Sequence, residues 1–329
     1  MAPLASIGIL SIGQMGLGIA RLLVAHNYRV LTNVSNRSQS TQERAKSASL
    51  VLVPTDADLV QESDYILSIV PPRDAVATAK RIVDACREAE GLRAGKKEPL
   101  YYLDLNAVSP STARSIDELF RSSAPSVRFI DGGIIGGPPT PSSSTNSSEW
   151  TRPGIPLSGS HSLDGAPISG AHLAETLNTR YLDANIGSAS GLKCTFAALS
   201  KGFTALALQS FTTATNLGVL PHLQHYLGIY NPSVAARAEK SIIGCTGKAY
   251  RWVEEMHQIG ECFAEEGGWR EQAKVFREIA GVYEGLAKVV ERRGTEGMRD
   301  AEGVVGALGE GLKGRERRVS VEKLEQDDR

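Results

Sequence analysis

Two short stretches carry residue types that could hold a charged ligand. The first is Ser11-Ile12-Gly13-Gln14-Met15-Gly16, between an apolar β-type run, Ile7–Leu10, and a helical pattern reaching about Ala25. A dinucleotide-binding turn reads G-x-G-x-x-G at such a place. Its glycines serve in order for the tight turn, for close backbone approach to a pyrophosphate and for packing of helix on strand. Gly13 and Gly16 fill the second and third places. Ser11 fills the first, where a small residue can turn while its φ stays negative. The helix that follows aims its N-terminal dipole at the phosphates. A glycine-rich connection with no ligand is the other reading.

The second stretch is Asn36-Arg37-Ser38, after the second β-type run. An NAD site places an acid about 20 residues past the turn, on the ribose 2′-hydroxyl. No acid lies between Gly16 and Glu43. Arg37 can instead fork onto a 2′-phosphate and stack on adenine, with Ser38 adding a hydroxyl donor. This favours NADP(H) over NAD(H); an ordinary solvated loop arginine is the alternative.

These stretches need a scaffold, and the first 187 residues supply its pattern. Strand-like runs at Ile7–Leu10, Arg29–Val34, Leu50–Val53, Tyr65–Val70, Leu100–Leu105, Val127–Asp131, Ile155–Ser158 and Arg180–Ile186 alternate with helical ones. Ser109-Pro110 reads as an N-cap followed by proline at the first helical position. Such alternation predicts a Rossmann-type, doubly wound, mostly parallel α/β sheet over 1–187. From Ser188 the pattern turns helical: a long Ala- and Leu-rich run to Leu217, then Lys248–Glu266 and Arg270–Val290. An all-α domain over 188–290 is expected. Residues 291–329, rich in Gly and mixed charge, read as a frayed tail. Residues 138–154, PPTPSSSTNSSEWTRPG, read as a mobile low-complexity loop.

Composition excludes several classes. A net charge of −1 gives no footing for nucleic acid or an anionic membrane. No run approaches a membrane span, and the apolar stretch Pro3–Leu10 lacks a basic flank and is too short for a signal peptide. The four cysteines are scattered without a C-x-x-C, which suits thiols in a reducing cytoplasm and no metal site.

Three further stretches, DLNAVSP (104–110), FIDGGIIGG (129–137) and GSASGLKCTFAALSKG (187–202), follow the glycine turn in order. With them the chain resembles the β-hydroxyacid dehydrogenases, a family that includes 6-phosphogluconate dehydrogenase and shares its architecture with imine reductases. AYRWVEEMHQIGECFAEEGG (249–268) is similar to the helical domain of phosphogluconate dehydrogenase-like proteins. The resemblance implies that Gly13, Met15 and Gly16 belong to the cofactor turn, and that Val70-Pro71-Pro72 lies near the nicotinamide. Asn106 and Ala107 stand where the family often has Ser-Thr for a substrate carboxylate. Gly136-Gly137 match a substrate-facing glycine pair, with Ile135 in place of Ser. Lys193 matches the catalytic lysine, and Ala197 stands where an asparagine is expected. The losses at Ile135 and Ala197 point to a larger or less polar substrate than a small β-hydroxyacid.

The lysine makes chemical sense. Hydride exchange between nicotinamide and a carbonyl carbon needs a proton for the oxygen, and a lysine in a partly desolvated cleft can carry it. Its charge also stabilises a developing alkoxide. Lys201, eight residues on, is either a second cation of the site or a solvated lysine. His222 and His225 are expected to flank a loop, Arg251 and Glu255 to form an i,i+4 ion pair, and Cys194 to pack. The expected activity is an NADP-dependent dehydrogenase acting on a small organic substrate. An imine reductase and a degenerate NADP(H)-binding sensor are the alternatives. The apolar helix Ser190–Leu217 and the family resemblance predict a homodimer through the helical domain.

Overall fold

The computed structural model describes residues 2–89, 92–142 and 149–313. The chain forms two compact units, Met1–Phe196 and Ala197–Arg329. The dividing line falls inside the long helix rather than at its start.

The first unit runs β1 (Ser6–Leu10), α1 (Gln14–Ala25), β2 (Arg29–Thr32), α2 (Gln39–Ser47), β3 (Val51–Leu52), α3 (Asp56–Glu62), β4 (Tyr65–Ser68), α4 (Ala75–Glu88), β5 (Tyr101–Asp104), α5 (Pro110–Ser123) and β6 (Arg128–Gly132). It continues through β7 (Thr140–Pro141), β8 (Trp150–Thr151), β9 (Ile155–Ser158), α6 (Gly170–Leu177) and β10 (Thr179–Tyr181) into α7 (Ser188–Asn216). Eight strands form one sheet in the order β10-β9-β6-β5-β4-β1-β2-β3. Every neighbouring pair is parallel except β6 with β9. This is the Rossmann-type α/β domain the alternation implied.

Both faces of the sheet are covered, so its strands read as near-continuous apolar runs. Ile7, Ile9, Leu67, Leu103, Ile130 and Leu157 pack on one face with Ile19 and Leu23 of α1 and Leu173 of α6. Leu10, Leu31, Ile66, Tyr102 and Phe129 pack on the other with Ile82 of α4 and Phe120 of α5. Local signals start the helices: Ser109 Oγ accepts from the Thr112 N–H at α5, and Thr55 and Asp58 form a capping box at α3.

Two expectations in this unit need correction. The last strand is shorter than the run Arg180–Ile186. The low-complexity stretch 138–154 is not all loop: Thr140–Pro141 pairs antiparallel with Trp150–Thr151, and Ile135 bridges to Gly154. Residues 143–148, where mobility was expected, lie outside the described residues.

The helical unit takes up α7 and continues with α8 (Leu220–Tyr230), α9 (Pro232–Cys245), α10 (Ala249–Glu265), α11 (Val275–Arg293) and α12 (301–313). Met256 and Ile259 of α10 and Tyr283, Leu286 and Val289 of α11 are buried. His222 and His225 do not flank a loop; both ride on α8, because Pro221 sits in the first turn, where a missing N–H costs nothing. The frayed tail is also corrected within the described residues. Val304, Val305 and Leu308 of α12 are buried. Gly309 and Gly311 bring that helix close to Asn216 and Val289. Glycines lower helix propensity, and here they serve close packing that propensity cannot register. Residues 314–329 lie outside the described residues.

The turn after β1 departs from expectation in its dihedral. Ser11 has φ +82°, not negative. Its carbonyl oxygen lies 2.1 Å from where a Cβ on Gly16 would be, so residue 16 must be glycine. A side chain at positive φ costs about 1–2 kcal/mol. Ser11→Gly should therefore raise unfolding stability by about 1 kcal/mol in urea titration. No gain, or a loss, would show that the Ser11 hydroxyl compensates for the strain.

Candidate functional site

The strand order reverses between β1 and β4, which opens a crevice at the carboxyl ends of these strands. Ser11 to Gly16 sits there. Gly13 caps α1 with no side-chain hydrogen bond. A Cβ on Gly13 would meet only Ser11 Oγ, 3.9 Å away, so backbone is open to a close ligand. Ile12 is buried, Met15 half-buried and Gln14 exposed. A dinucleotide pyrophosphate fits an uncapped helix start beside a glycine with free approach.

Asn36, Arg37 and Ser38 are exposed just before α2. Ser38 Oγ lies 3.0 Å from both Ser40 Oγ and Thr41 Oγ1, a hydroxyl cluster at the helix start. Sequence reading missed Arg44. Its guanidinium donates to the Ile12 carbonyl at 3.1 Å, bringing a cation from α2 to the turn. One turn of α2 separates it from Ser40 and Thr41, a spacing signal that was available.

At the next strands Asn106 has a defined task. Its Oδ1 accepts from the Val70 N–H at 2.7 Å and its Nδ2 donates to Ser68 Oγ at 3.0 Å. The buried amide thus ties the end of β5 to the Val70-Pro71-Pro72 turn after β4. Pro71 is exposed and Pro72 buried; Ala107 is half-buried.

Lys193 is half-buried in the second turn of α7, and its ammonium donates to the Ile134 carbonyl. That carbonyl belongs to a strap leaving β6. Gly133 passes so close that an added Cβ would lie 2.9 Å from Lys193 Cβ. Ile135 is half-buried and joined to Gly154 by hydrogen bonds of 2.8 and 2.9 Å. Gly136 takes φ +125°, and nothing lies within 4 Å of a Cβ on Gly137. Pro138 and Pro139 then press on Gly18 of α1, each 3.0 Å from its Cβ position. One strap therefore joins the lysine to the helix of the glycine turn.

Four polar side chains that sequence reading passed over sit in register along the carboxyl ends of adjacent strands: Ser68 beside Asp104, Asp104 beside Asp131, Asp131 beside Ser158. All are buried. Asp131 accepts from Ser158 Oγ (2.9 Å), Gly187 N (2.9 Å), Ser190 N (3.2 Å) and Ser190 Oγ (2.5 Å). Burial raises its pKa, and these donors pull it back. Asp104 accepts from the Asn106 N–H at 3.0 Å, while its Oδ2 has no partner among the described residues. Burial pushes it up to about 7, the Asn106 amide opposing and Asp131 reinforcing.

The remaining candidates lie in the helical unit. Ala197 is buried, one turn along α7 from Lys193. Lys201 is buried, not solvated: its ammonium pairs with Glu255 and lies 5.4 Å over the Trp252 ring. Glu255 thus meets Lys201, 54 residues away, instead of the Arg251 expected from helical spacing. Tyr283 OH donates to the Lys201 carbonyl at 2.5 Å. The pair is an internal brace of this unit, which corrects the solvated reading of Lys201. Cys194 packs as expected, buried, with Sγ 3.5 Å from the Val108 carbonyl.

Residues 6–145 match the NAD binding domain of 6-phosphogluconate dehydrogenase, and residues 214–286 match a domain of unknown function, DUF1932. An uncharacterized 28.5 kDa protein of Methanothermus fervidus is 25% identical over 223 residues, 67% of this chain and 75% of its own. Among solved structures, 3-hydroxyisobutyrate dehydrogenase of Mycobacterium tuberculosis, in complex with L-serine, superposes with TM-score 0.59 at 13% identity. The match covers 94% of this chain and 99% of that one. An imine reductase variant from Myxococcus stipitatus, in complex with NAD+, gives 0.53 at 15% identity over 92% and 99%. The chain thus shares the fold of hydroxyacid dehydrogenases, and its first part matches an NAD binding domain over residues 6–145. Among the described residues no helix is long and apolar enough to cross a membrane.

The Asp104 shift has a consequence for stability. A carboxyl at about 7 in the fold and 3.8 in the open chain makes the native state bind the extra proton between those values. Its contribution is complete below pH 3.8 and is lost as pH rises through 7, up to about 4 kcal/mol in all. Asp104→Asn should remove that slope. Measured by urea titration, the variant should gain on the wild type between pH 4.5 and pH 8.5. Parallel pH profiles would contradict it.

Proposed function

We propose that this chain is an NADP(H)-dependent oxidoreductase of the hydroxyacid dehydrogenase type, with Lys193 as its acid–base group. The observation that carries the proposal is the Lys193 ammonium on the Ile134 carbonyl, at one end of a strap whose other end rests on α1. Gly13 and the uncapped start of α1 would hold the pyrophosphate, and Arg37, Ser38 and Arg44 the 2′-phosphate. When bound, a nicotinamide cofactor supplies or accepts the hydride.

The chain's own residues supply the rest. Lys193 carries a proton to or from the substrate oxygen, and its charge stabilises the alkoxide. Asn106 holds the Val70 turn in place. The open backbone at Gly136-Gly137 suits a carboxylate or other acceptor-rich group. Ile135 and Ala197 carry no polar group, which favours a larger, less polar substrate and keeps cyclic imines among the candidates.

A homodimer is part of this proposal. On α8 only Leu220 is buried, while Tyr226, Ile229 and Tyr230 are exposed, as are Leu199 and Leu206 of α7. An apolar face of that extent is normally covered. A cytoplasmic setting is proposed as well, since no disulfide joins the four cysteines.

Cofactor titration by nicotinamide fluorescence should give at least about tenfold tighter NADPH than NADH, roughly 1.4 kcal/mol. Arg37→Ala should erase most of that preference; equal affinities in the wild type would end the NADP reading. In a screen of hydroxyacids, ketoacids and cyclic imines, Lys193→Ala should lower kcat by about 10²–10⁴-fold, with NADPH binding within about threefold. Arginine keeps the charge but cannot release a proton near neutral pH, so Lys193→Arg should not restore the rate. Full activity in that variant would make the residue an electrostatic anchor. Light scattering should report the mass of two chains at micromolar concentration, and one chain would rule the dimer out.

A further inference from the structure

We propose that Asp131 is a positioning residue for Lys193: its carboxylate fastens the first turn of α7 so that the lysine stays on the Ile134 carbonyl. The inference rests on the reading of Lys193 as the acid–base group.

Four donors converge on this one carboxylate. Gly187 N, Ser190 N and Ser190 Oγ come from the start of α7, and Ser158 Oγ from β9. Ser158 Oγ also accepts from the Ala189 N–H at 3.0 Å. Backbone N–H groups at a helix start have no intrahelical partners, and here residues of β6 and β9 take three of them. The negative charge also lies where the helix dipole favours it. Lys193 follows Ala189 by four residues and Ser190 by three, so it stands directly above this fastened turn.

Asp131 governs the other side of the contact too. Ile134, whose carbonyl receives the ammonium, follows it by three positions. The chain between them passes Lys193 with no slack, because a Cβ on Gly133 would lie 2.9 Å from Lys193 Cβ. The helix that carries the lysine and the strap that receives it are thus anchored at one residue. A change there moves both ends of the Lys193–Ile134 hydrogen bond.

Asparagine tests the requirement for two accepting oxygens at constant shape. One oxygen becomes an NH₂ group: at the Oδ1 position it turns Ser190 Oγ from donor to acceptor, and at the Oδ2 position it opposes the Gly187 and Ser190 N–H groups. In the full-length chain, the acylation rate of each lysine by an amine-selective reagent can be followed against pH and mapped by peptide mass spectrometry. This readout needs no substrate. Asp131→Asn should speed labelling of Lys193 by about tenfold and shift its pH midpoint, by local opening of the turn. Labelling of Lys288 on α11 should stay the same, and NADPH affinity should stay within about threefold. Ser190→Ala, a milder loss of one donor, should give a smaller change of the same sign and serves if the asparagine variant does not fold. Unchanged Lys193 labelling in either folded variant overturns the proposal. A general rise at all lysines also overturns it, since that marks loss of structure rather than of position. If instead Lys193→Ala keeps full turnover, the acid–base reading fails while the labelling result stands on its own.

Discussion

A buried carboxylate with four donors around it is the constraint on which the first unit's site depends. Asp131 has been taken out of water, and a lone charge in that position would be costly. Its cost is offset only while Ser158, Gly187 and Ser190 remain where they are. The end of β6, the end of β9 and the start of α7 therefore cannot drift independently. Removing one donor from such a network typically costs about 1.5–3 kcal/mol. Rigidity at the lysine is thus obtained from the sheet edge rather than from the helix that carries it.

Asp104 shows the other side of the same arrangement. Beside a buried neighbour that holds four donors, it has one oxygen without a partner among the described residues and a raised pKa. Two carboxylates in adjacent register share one region of low dielectric, and burial raises the pKa of both. Asn106, two residues beyond Asp104, links this row to the Val70 turn. The polar row therefore runs unbroken from the strand beside the glycine turn to the helix of the lysine.

The sequence made the scaffold legible because sheet strands covered on both faces are short apolar runs bounded by clear helix starts. The glycine turn and the strap glycines stand out in the sequence for a similar reason: each lies in one contiguous motif. What stayed hidden depends on distance along the chain or on angle. Ser11 at positive φ cannot be told from Ser11 at negative φ by its side chain. Asp131 sits inside FIDGGIIGG, yet nothing local says that its partners are residues 158, 187 and 190. Lys201 and Glu255 find each other across 54 positions, which defeats any i,i+4 rule. In α12, glycines that look like helix breakers are the contact surface itself.

The strap after β6 has one more property. It is pinned at Gly133 by Lys193, at Ile135 by Gly154, and at Pro138-Pro139 by Gly18. Beyond these pins Thr140–Pro141 and Trp150–Thr151 run side by side, so the chain leaves and returns at neighbouring points. Closing a loop between two such points depends only weakly on its length, by about 0.6 kcal/mol per doubling. Evolution can therefore lengthen, shorten or rewrite what lies between β7 and β8 while the lysine and the glycine turn keep their places. The ribbon works as a socket: its base belongs to the fold, and the length of what is plugged into it can change at little cost.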